Sequence, residues 1–248
     1  MRVVVAGGTG VVGRHVVAAA EAAGHEVAVL SRQNGVDLIS GQGLDDAMLG
    51  ARAVIDVSNV ATLSRRRAVE FFTAATRHLL EAGQRAGVTH HVALSIVGCD
   101  RVDFGYYFGK RAQEELVLAP GVPGTVLRAT QFHEFAGQLL ARSPGPVAFV
   151  PRMRSQPVAA SEVAEALVEL ASAGPAGLPP ELAGPEVHEM VDLARRVAAA
   201  QGASKRVVGV RPPGAAAKAM ANGGLLPSGP GPRGAQTFGE WLRTEFPG

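Results

Sequence analysis

The sequence predicts an α/β fold, a doubly wound parallel sheet followed by a small C-terminal capping region. Three observations carry this. Short β-branched runs alternate with helix-period segments from residue 2 to residue 141, the pattern of a parallel sheet with crossover helices. A glycine cluster, Gly7-Gly8-Thr9-Gly10-Val11-Val12-Gly13, joins the first run to the first helix. Beyond residue 142 the alternation gives way to Pro- and Gly-punctuated chain, beginning with Pro144, Gly145, Pro146 and Pro151.

Each element follows from its residues. Arg2–Ala6 reads Arg-Val-Val-Val-Ala, a continuous β-branched run suited to a strand buried on both faces. Val11 to about Ala23 is Ala- and Val-rich and predicts a helix. Glu26–Leu30 is a second strand, Val36–Ser40 a weaker third, Asp45–Leu49 a short helical turn and Ala53–Val57 a fourth strand. Arg65–Ala86 predicts a long helix, with Phe71, Phe72, Ala75, Leu79 and Leu80 at core-facing spacing. His91–Ile96 is a fifth strand, Tyr106–Leu118 a helix, Gly124–Arg128 a sixth strand and Glu134–Ala141 a further helix. Right-handed crossovers put the C-terminal ends of all these strands on one edge. Ligands of such sheets bind outside that edge, where strand order reverses.

In the C-terminal part, Gln156–Ala159 predicts a short strand. Ser161 is the expected N-cap of a helix over Glu162–Ala173, and a second helix is expected around Glu186–Ala200. Residues 209–236 are dense in Gly, Pro, Ala and Ser and predict long loops. Residues 1–248 read as a single domain, with 144–248 contributing a partly discontinuous cap over a substrate site.

Composition narrows the class. The chain has 248 residues, 47% of them hydrophobic, with 24 Lys plus Arg against 22 Asp plus Glu and a net charge of +2. That is a weak field, and it argues against a nucleic-acid surface, which needs clustered basic charge. Cys99 is the single cysteine, which excludes intramolecular disulfides and Cys-rich metal sites. His90-His91 has no third ligand at sensible spacing, so no metal is expected. No apolar run approaches the ~20 residues of a membrane span, and the chain opens directly on a strand pattern instead of a leader. A cytoplasmic protein that touches neither membrane nor nucleic acid is the expectation.

Gly7, Gly10 and Gly13 have G-x-x-G-x-x-G spacing in the strand–turn–helix context that gives such a pattern meaning. Gly7 turns the chain out of the strand, Gly10 lets the backbone approach a pyrophosphate, and Gly13 lets the helix pack closely. The N–H groups from Thr9 through Val11, Val12 and Gly13 then face the phosphates, helped by the helix dipole. The second strand runs into Ser31-Arg32, with Arg32 19 residues after Gly13, and no Asp or Glu occurs from Val27 to Gly35. The missing carboxylate removes the usual partner of a ribose 2′-OH. An arginine there suits a 2′-phosphate, so NADP(H) is predicted over NAD. Ser58 and Asn59, after the fourth strand, are expected beside the riboses.

Tyr106-Tyr107-Phe108-Gly109-Lys110 contains Tyr-x-x-x-Lys, two residues on one helix face. With only two tyrosines and three lysines in the chain, chance produces such a pair about 2% of the time. A lysine ammonium beside a phenol lowers its pKa, so Tyr106 is expected to act as acid–base with Lys110 as its activator and as a ribose ligand. His133 is expected to pack as a loop histidine, and Arg65-Arg66-Arg67 to form a solvated helix start.

Gly7–Gly13 followed by Tyr106-x-x-x-Lys110 resembles the short-chain dehydrogenase/reductase superfamily. Its atypical NmrA-like branch is resembled by His90–Gly98, by Lys110-Arg111-Ala112-Gln113-Glu114, by Leu127-Arg128-Ala129-Thr130-Gln131-Phe132 and by Pro157-Val158. The resemblance covers residues 1–172 and implies a Rossmann-type fold with NADP(H) at the strand ends. It implies Thr130, Gln131 and Phe132 near the nicotinamide and a substrate pocket closed by the chain after the sixth strand. The superfamily carries a Ser or Thr on the strand before the Tyr. Ser95, 11 residues before Tyr106, is its counterpart here, with Ile96 and Val97 beside it unable to polarise a carbonyl.

Two functions remain open. One is an NADPH-dependent reductase acting on a carbonyl, enone or quinone of a small hydrophobic substrate, its pocket lined by Phe132, Phe135 and Phe149. The other is an NADP(H)-binding regulator without turnover. A nucleotide-sugar epimerase is disfavoured by the short C-terminal part. Substrate identity and oligomeric state are not legible.

Overall fold

The computed structural model describes residues 1–247. Five parallel strands form the central sheet: β1 (Arg2–Ala6), β2 (Glu26–Leu30), β3 (Ala53–Asp56), β4 (His90–Ile96) and β5 (Gly124–Ala129), in the order β2-β1-β3-β4-β5. The chain leaves β1 for β2 on one side and returns to β3 on the other. The switch point therefore lies between the C-terminal ends of β1 and β3, where open α/β sheets hold ligands.

Helices cover both faces. On one lie α1 (Val11–Ala22) and α6 (Ala160–Ala173). On the other lie α2 (Leu44–Met48), α3 (Arg65–Ala86) and α4 (Gly105–Val117). α3 begins at Ser64, whose side chain accepts from Arg67 N, and ends at Gly87 with φ 77°, the two residue types that start and stop helices well. Val3, Val5, Val16, Ile55, Val92, Val163 and Leu167 form the core between the sheet and α1/α6. Val4, Val54, Leu79 and Met48 form the core toward α2 and α3.

Beyond β5 come α5 (Phe135–Ala141), the parallel pair β6 (Val147–Pro151) and β9 (Arg206–Val210), the antiparallel pair β7 (Arg154–Ser155) and β8 (His188–Glu189), then α7 (Met190–Ala200), α8 (Ala215–Ala221) and α9 (Phe238–Glu245). A separate apolar cluster ties them to the sheet edge through Cys99, Tyr107, Met153, Leu193, Leu225, Phe238 and Trp241. No helix among the described residues is long and apolar enough to cross a membrane.

The expected strand at Val36–Ser40 does not form. Ser31 accepts a hydrogen bond from Asn34 N, and Asp37 Oδ1 accepts from Ile39 N at 2.7 Å and from Ser40 N. These local bonds, with Gly35, Gly41 and Gly43 all at positive φ, close turns where a ladder would have run. The sheet therefore has five strands where six are expected. Ser161 lies inside α6, and the N-cap is Ala159, which makes no side-chain bond. Gln156–Ala159 contributes one bridge, Val158 to Phe132. The helix expected from Glu186 begins at Met190, because His188–Glu189 pairs with Arg154–Ser155 first.

Candidate functional site: a dinucleotide cradle beside a buried lysine

The glycine loop lies at the switch point. Gly7 has φ 82°, and a Cβ on it would meet Val57 O at 2.7 Å and Ser58 Cα at 2.8 Å. A Cβ on Gly13 would fall 2.1 Å from Gly7 O. Both positions therefore demand glycine for lack of space, since no side chain fits there without moving backbone. Gly10 caps α1 with no side-chain bond, and the first turn holds no acidic residue. That leaves the helix N-terminus free for an anion. Thr9 and Gly10 are exposed, Val11 is half-buried, and Val12 packs in the core. What Val12 and Gly13 offer a ligand is backbone N–H.

At the end of β2, Ser31 caps a single 3₁₀ turn over Arg32–Asn34. Arg32 is exposed and has no ion-pair partner among the described residues. The nearest carboxylate downstream, Asp37, is engaged by backbone N–H groups through its Oδ1. At the end of β3, Asp56 is fully buried. Its Oδ1 accepts from Ser58 N at 2.9 Å, and its Oδ2 accepts from Gln113 Nε2 at 2.7 Å. Ser58 Oγ is buried with no partner, as are Oε1 and Nε2 of Gln131 just past β5. Orphaned polar atoms are uncommon in folded proteins. Two such residues at the strand ends, beside a cradle that a Cβ would fill, fit a polar dinucleotide.

The Tyr106–Lys110 pair departs from expectation. Tyr106 Oη donates to Asn59 Oδ1 at 2.6 Å, and that oxygen also accepts from Val60 N at 2.8 Å. The Lys110 ammonium lies 4.5 Å from the centroid of the Phe72 ring, donates to Leu94 O at 2.6 Å, and donates to Gln113 Oε1. The i,i+4 spacing places both residues on one helix face, yet their polar ends take different partners. Lys110 does not depress the phenol: burial pushes the Tyr106 hydroxyl above its ordinary range, with Tyr107 and Asp56 adding to the shift. Burial also lowers Lys110 to about 8, against the attraction of Asp56, Cys99 and Glu114.

Ser95 is buried, with Oγ 3.7 Å from Cys99 Sγ. It belongs to a second polar chain in which Cys99 Sγ donates to Glu114 Oε1 at 3.2 Å. Arg128 there grips both oxygens of Glu114 at 2.9 and 2.6 Å and reaches Asp100 Oδ2 at 2.8 Å. Burial, and then Glu114, raises the Cys99 thiol to about 11, so it is inert as a nucleophile near neutrality. The Ser95 hydroxyl, expected at the substrate, lies here against the Cys99 sulfur.

Past β5, Thr130 is structural: its hydroxyl donates to Gln156 O at 2.6 Å. Phe132 packs half-buried on the α1/α6 core. His133 is buried, 3.1 Å from Gln236 O, with ring centroids 5.6 Å from both Phe238 and Trp241. It is packed in the C-terminal apolar cluster, where a loop histidine was expected, and burial holds its pKa below the ordinary value. Phe149, expected in the pocket lining, is 63% exposed. Arg65 stacks 3.8 Å over Phe108 and Arg66 pairs with Glu70, the solvated helix start anticipated. No group of three or more His, Cys, Asp or Glu suited to a metal occurs among the described residues.

Sequence reasoning passed over Asp56 and Gln113. One signal was available: Asp56 interrupts the apolar run Ala53-Val54-Ile55-Asp56-Val57, and Gln113 is three residues from Lys110 on the same helix.

Residues 3–98 match the model of the NAD dependent epimerase/dehydratase family. Among curated proteins none matches at the sequence level. Solved structures share the fold at low identity. MoeE5 in complex with UDP-glucuronic acid and NAD has a TM-score of 0.74 at 17% identity, over 98% of this chain and 97% of that one. A short-chain dehydrogenase/reductase superfamily protein from Agrobacterium tumefaciens with bound NAD has a TM-score of 0.69 at 21% identity, over 98% and 95%. An NADPH-dependent quinone oxidoreductase from Escherichia coli has a TM-score of 0.68 at 17% identity, over 98% and 99%. At these identities the matches show a shared Rossmann-type fold.

Proposed function

We propose that this protein is an NADPH-dependent reductase of a small hydrophobic carbonyl, enone or quinone compound. The observation that carries the reading is the glycine cradle at the switch point, which opens beside orphaned Ser58 and Gln131 and the Tyr106–Lys110 helix. The N–H groups of Gly10 to Gly13 hold the pyrophosphate. Arg32, unpaired and exposed, takes the 2′-phosphate, where a carboxylate would have selected NAD. Ser58 Oγ and Asn59 face the riboses, and Gln131 meets the nicotinamide end. The bound cofactor supplies hydride.

The chain supplies position and a proton. Tyr106, its pKa raised by burial, stays protonated across the neutral range. Its proton now points at Asn59 Oδ1 and moves to a substrate oxygen when that oxygen gains charge. Lys110 offers a nearby ammonium with a third N–H beyond the two engaged by Leu94 O and Gln113. Residues 144–248, together with Phe132 and Phe135, shape the apolar side of the pocket.

One observation favours the regulator as a second reading. The working atoms of Tyr106 and Lys110 both already have protein acceptors, as in a site that binds cofactor without turnover. Calorimetry with NADPH and NADH tests the cofactor. Arg32→Ala should weaken NADPH binding about tenfold or more, the worth of a charge-assisted hydrogen bond, and leave NADH unchanged. NADPH oxidation against carbonyls, quinones and a nucleotide sugar tests the reaction, with Tyr106→Phe expected to lower turnover about 100-fold or more. Binding without oxidation of NADPH by any acceptor would select the regulator. NADH binding as tight as NADPH would remove the NADP assignment.

A further inference from the structure

We propose that Asp56 is a positioning residue that ties the nucleotide loop to Lys110 through Gln113. The proposal rests on the reading of Lys110 as the working cation of the site.

The chain of bonds starts from one buried carboxylate. Asp56 Oδ1 accepts from Ser58 N at 2.9 Å and so fixes the turn against which Gly7 packs. Asp56 Oδ2 accepts from Gln113 Nε2 at 2.7 Å. Gln113 Oε1 accepts from the Lys110 ammonium. The donor inventory leaves this amide one orientation. A carboxylate only accepts and an ammonium only donates, so Gln113 must turn its NH₂ to Asp56 and its oxygen to Lys110. Asp56, Lys110 and Gln113 are respectively 0%, 4% and 1% exposed, so water does not stand in for any of them. A buried carboxylate and a buried ammonium, linked through one amide, offset each other's desolvation.

Asp56 therefore acts in two directions. Toward β1 it sets the position of Ser58 beneath the phosphate loop. Toward α4 it holds Lys110 at Leu94 O and favours its charged form. Other groups face Lys110 from the packed elements. Cys99, after β4, and Glu114, on α4, favour its charge. Arg128, on β5, is engaged by Glu114 and Asp100. α3 presents the uncharged Phe72 ring. His91, on β4, is held below its ordinary pKa by burial, with the Asp56 carboxylate pulling the other way. Among these, Asp56 is the anion bonded both to the loop and, through an amide, to the lysine.

Asp56→Asn keeps the shape and breaks the chain. The asparagine must present its NH₂ either to Gln113 Nε2 or to Ser58 N, so one of the two bonds is lost, and a Gln113 inverted to accept from it would turn NH₂ toward Lys110. The test follows the lysine Cε signals by NMR through a pH titration of the full-length protein without ligand. There are only three lysines, Lys110, Lys205 and Lys218. Lys110 should titrate near 8 in the parent, and Asp56→Asn should move it down by about one pH unit or more, with Lys205 and Lys218 unmoved. Calorimetry on the same variant should show weaker NADPH binding. Gln113→Met, which removes both bonds without adding charge, should also move Lys110 down and serves if Asp56→Asn does not fold. A folded variant whose Lys110 titrates as in the parent overturns the proposal, whatever its turnover. A shifted Lys110 in a protein that oxidises no NADPH keeps the proposal and overturns the reductase.

Discussion

On the face covered by α1 and α6, Val3, Val5, Ile55, Val92 and Leu127 of the sheet meet Val16, Val163, Leu167 and Val168. On the face covered by α4, Asp56, His91, Ser95 and Arg128 meet Lys110, Gln113 and Glu114. The two faces belong to the same strands and differ by one residue of register, since successive side chains alternate sides. The first face stabilises by removing apolar area from water. The second spends burial on groups that gain little or nothing over well-packed hydrophobics. A fold that needed only stability would repeat the first face. The polar layer lies under the ends of β3, β4 and β5, where the candidate site is, and its main consequence is to fix the charge and position of Lys110 and of the turn at Ser58.

The largest expected break in this contrast is Glu114→Gln. It leaves Arg128 buried against Asp100 alone and should destabilise by about 3–5 kcal/mol in urea unfolding. A joint replacement of Glu114 and Arg128 by methionine should recover much of that loss. Failure to recover would mean that the polar face is needed for folding as well as for the site.

On the dry face, Leu167→Ala should cost about 2–5 kcal/mol through a cavity and leave the Lys110 titration unchanged. Movement of Lys110 in that variant would show that the two faces are coupled.

Acid sharpens the contrast further. His91, on the polar face, is depressed from 6.5 to about 4, with burial as the leading cause. Between those values the unfolded chain takes up a proton that the folded chain refuses. Stability therefore falls by up to a few kcal/mol as pH drops from 6.5 through 4. Urea midpoints across that window should show the fall, and His91→Gln should flatten it.

The smallest effect lies outside both faces. Thr237 and Glu240 form a capping box on α9, and Thr237→Ala should cost about 1 kcal/mol, read as a lower Tm, without altering NADPH binding.

The sheet was legible wherever burial wrote itself into local pattern. β1 (Arg2–Ala6) and α3 (Arg65–Ala86) appear with the bounds expected from the residues alone. The glycine loop was legible because its positions are constrained by contacts within the same short turn. Val36–Ser40 was misread because Asp37 and three glycines outweigh the three aliphatic residues Val36, Leu38 and Ile39 once side-chain-to-backbone bonds form. β6, β9 and α9 were missed because their pairing and docking are with segments far along the chain. The pair β6–β9, for example, joins residues 147–151 to 206–210, and Pro and Gly around them mask the pattern.

The amino-acid sequence by itself determined the α/β class, the position of the glycine loop at the switch point and the helix face shared by Tyr106 and Lys110. All three depend on spacing within a few turns of chain. Only the tertiary structure decided what those side chains touch. It turned Tyr106 to Asn59 and Lys110 to Leu94 O and Gln113, and it brought Asp56 beneath both. Polar partners are selected by which buried donors and acceptors remain unmet after the strands and helices pack, and that is a property of the assembled fold.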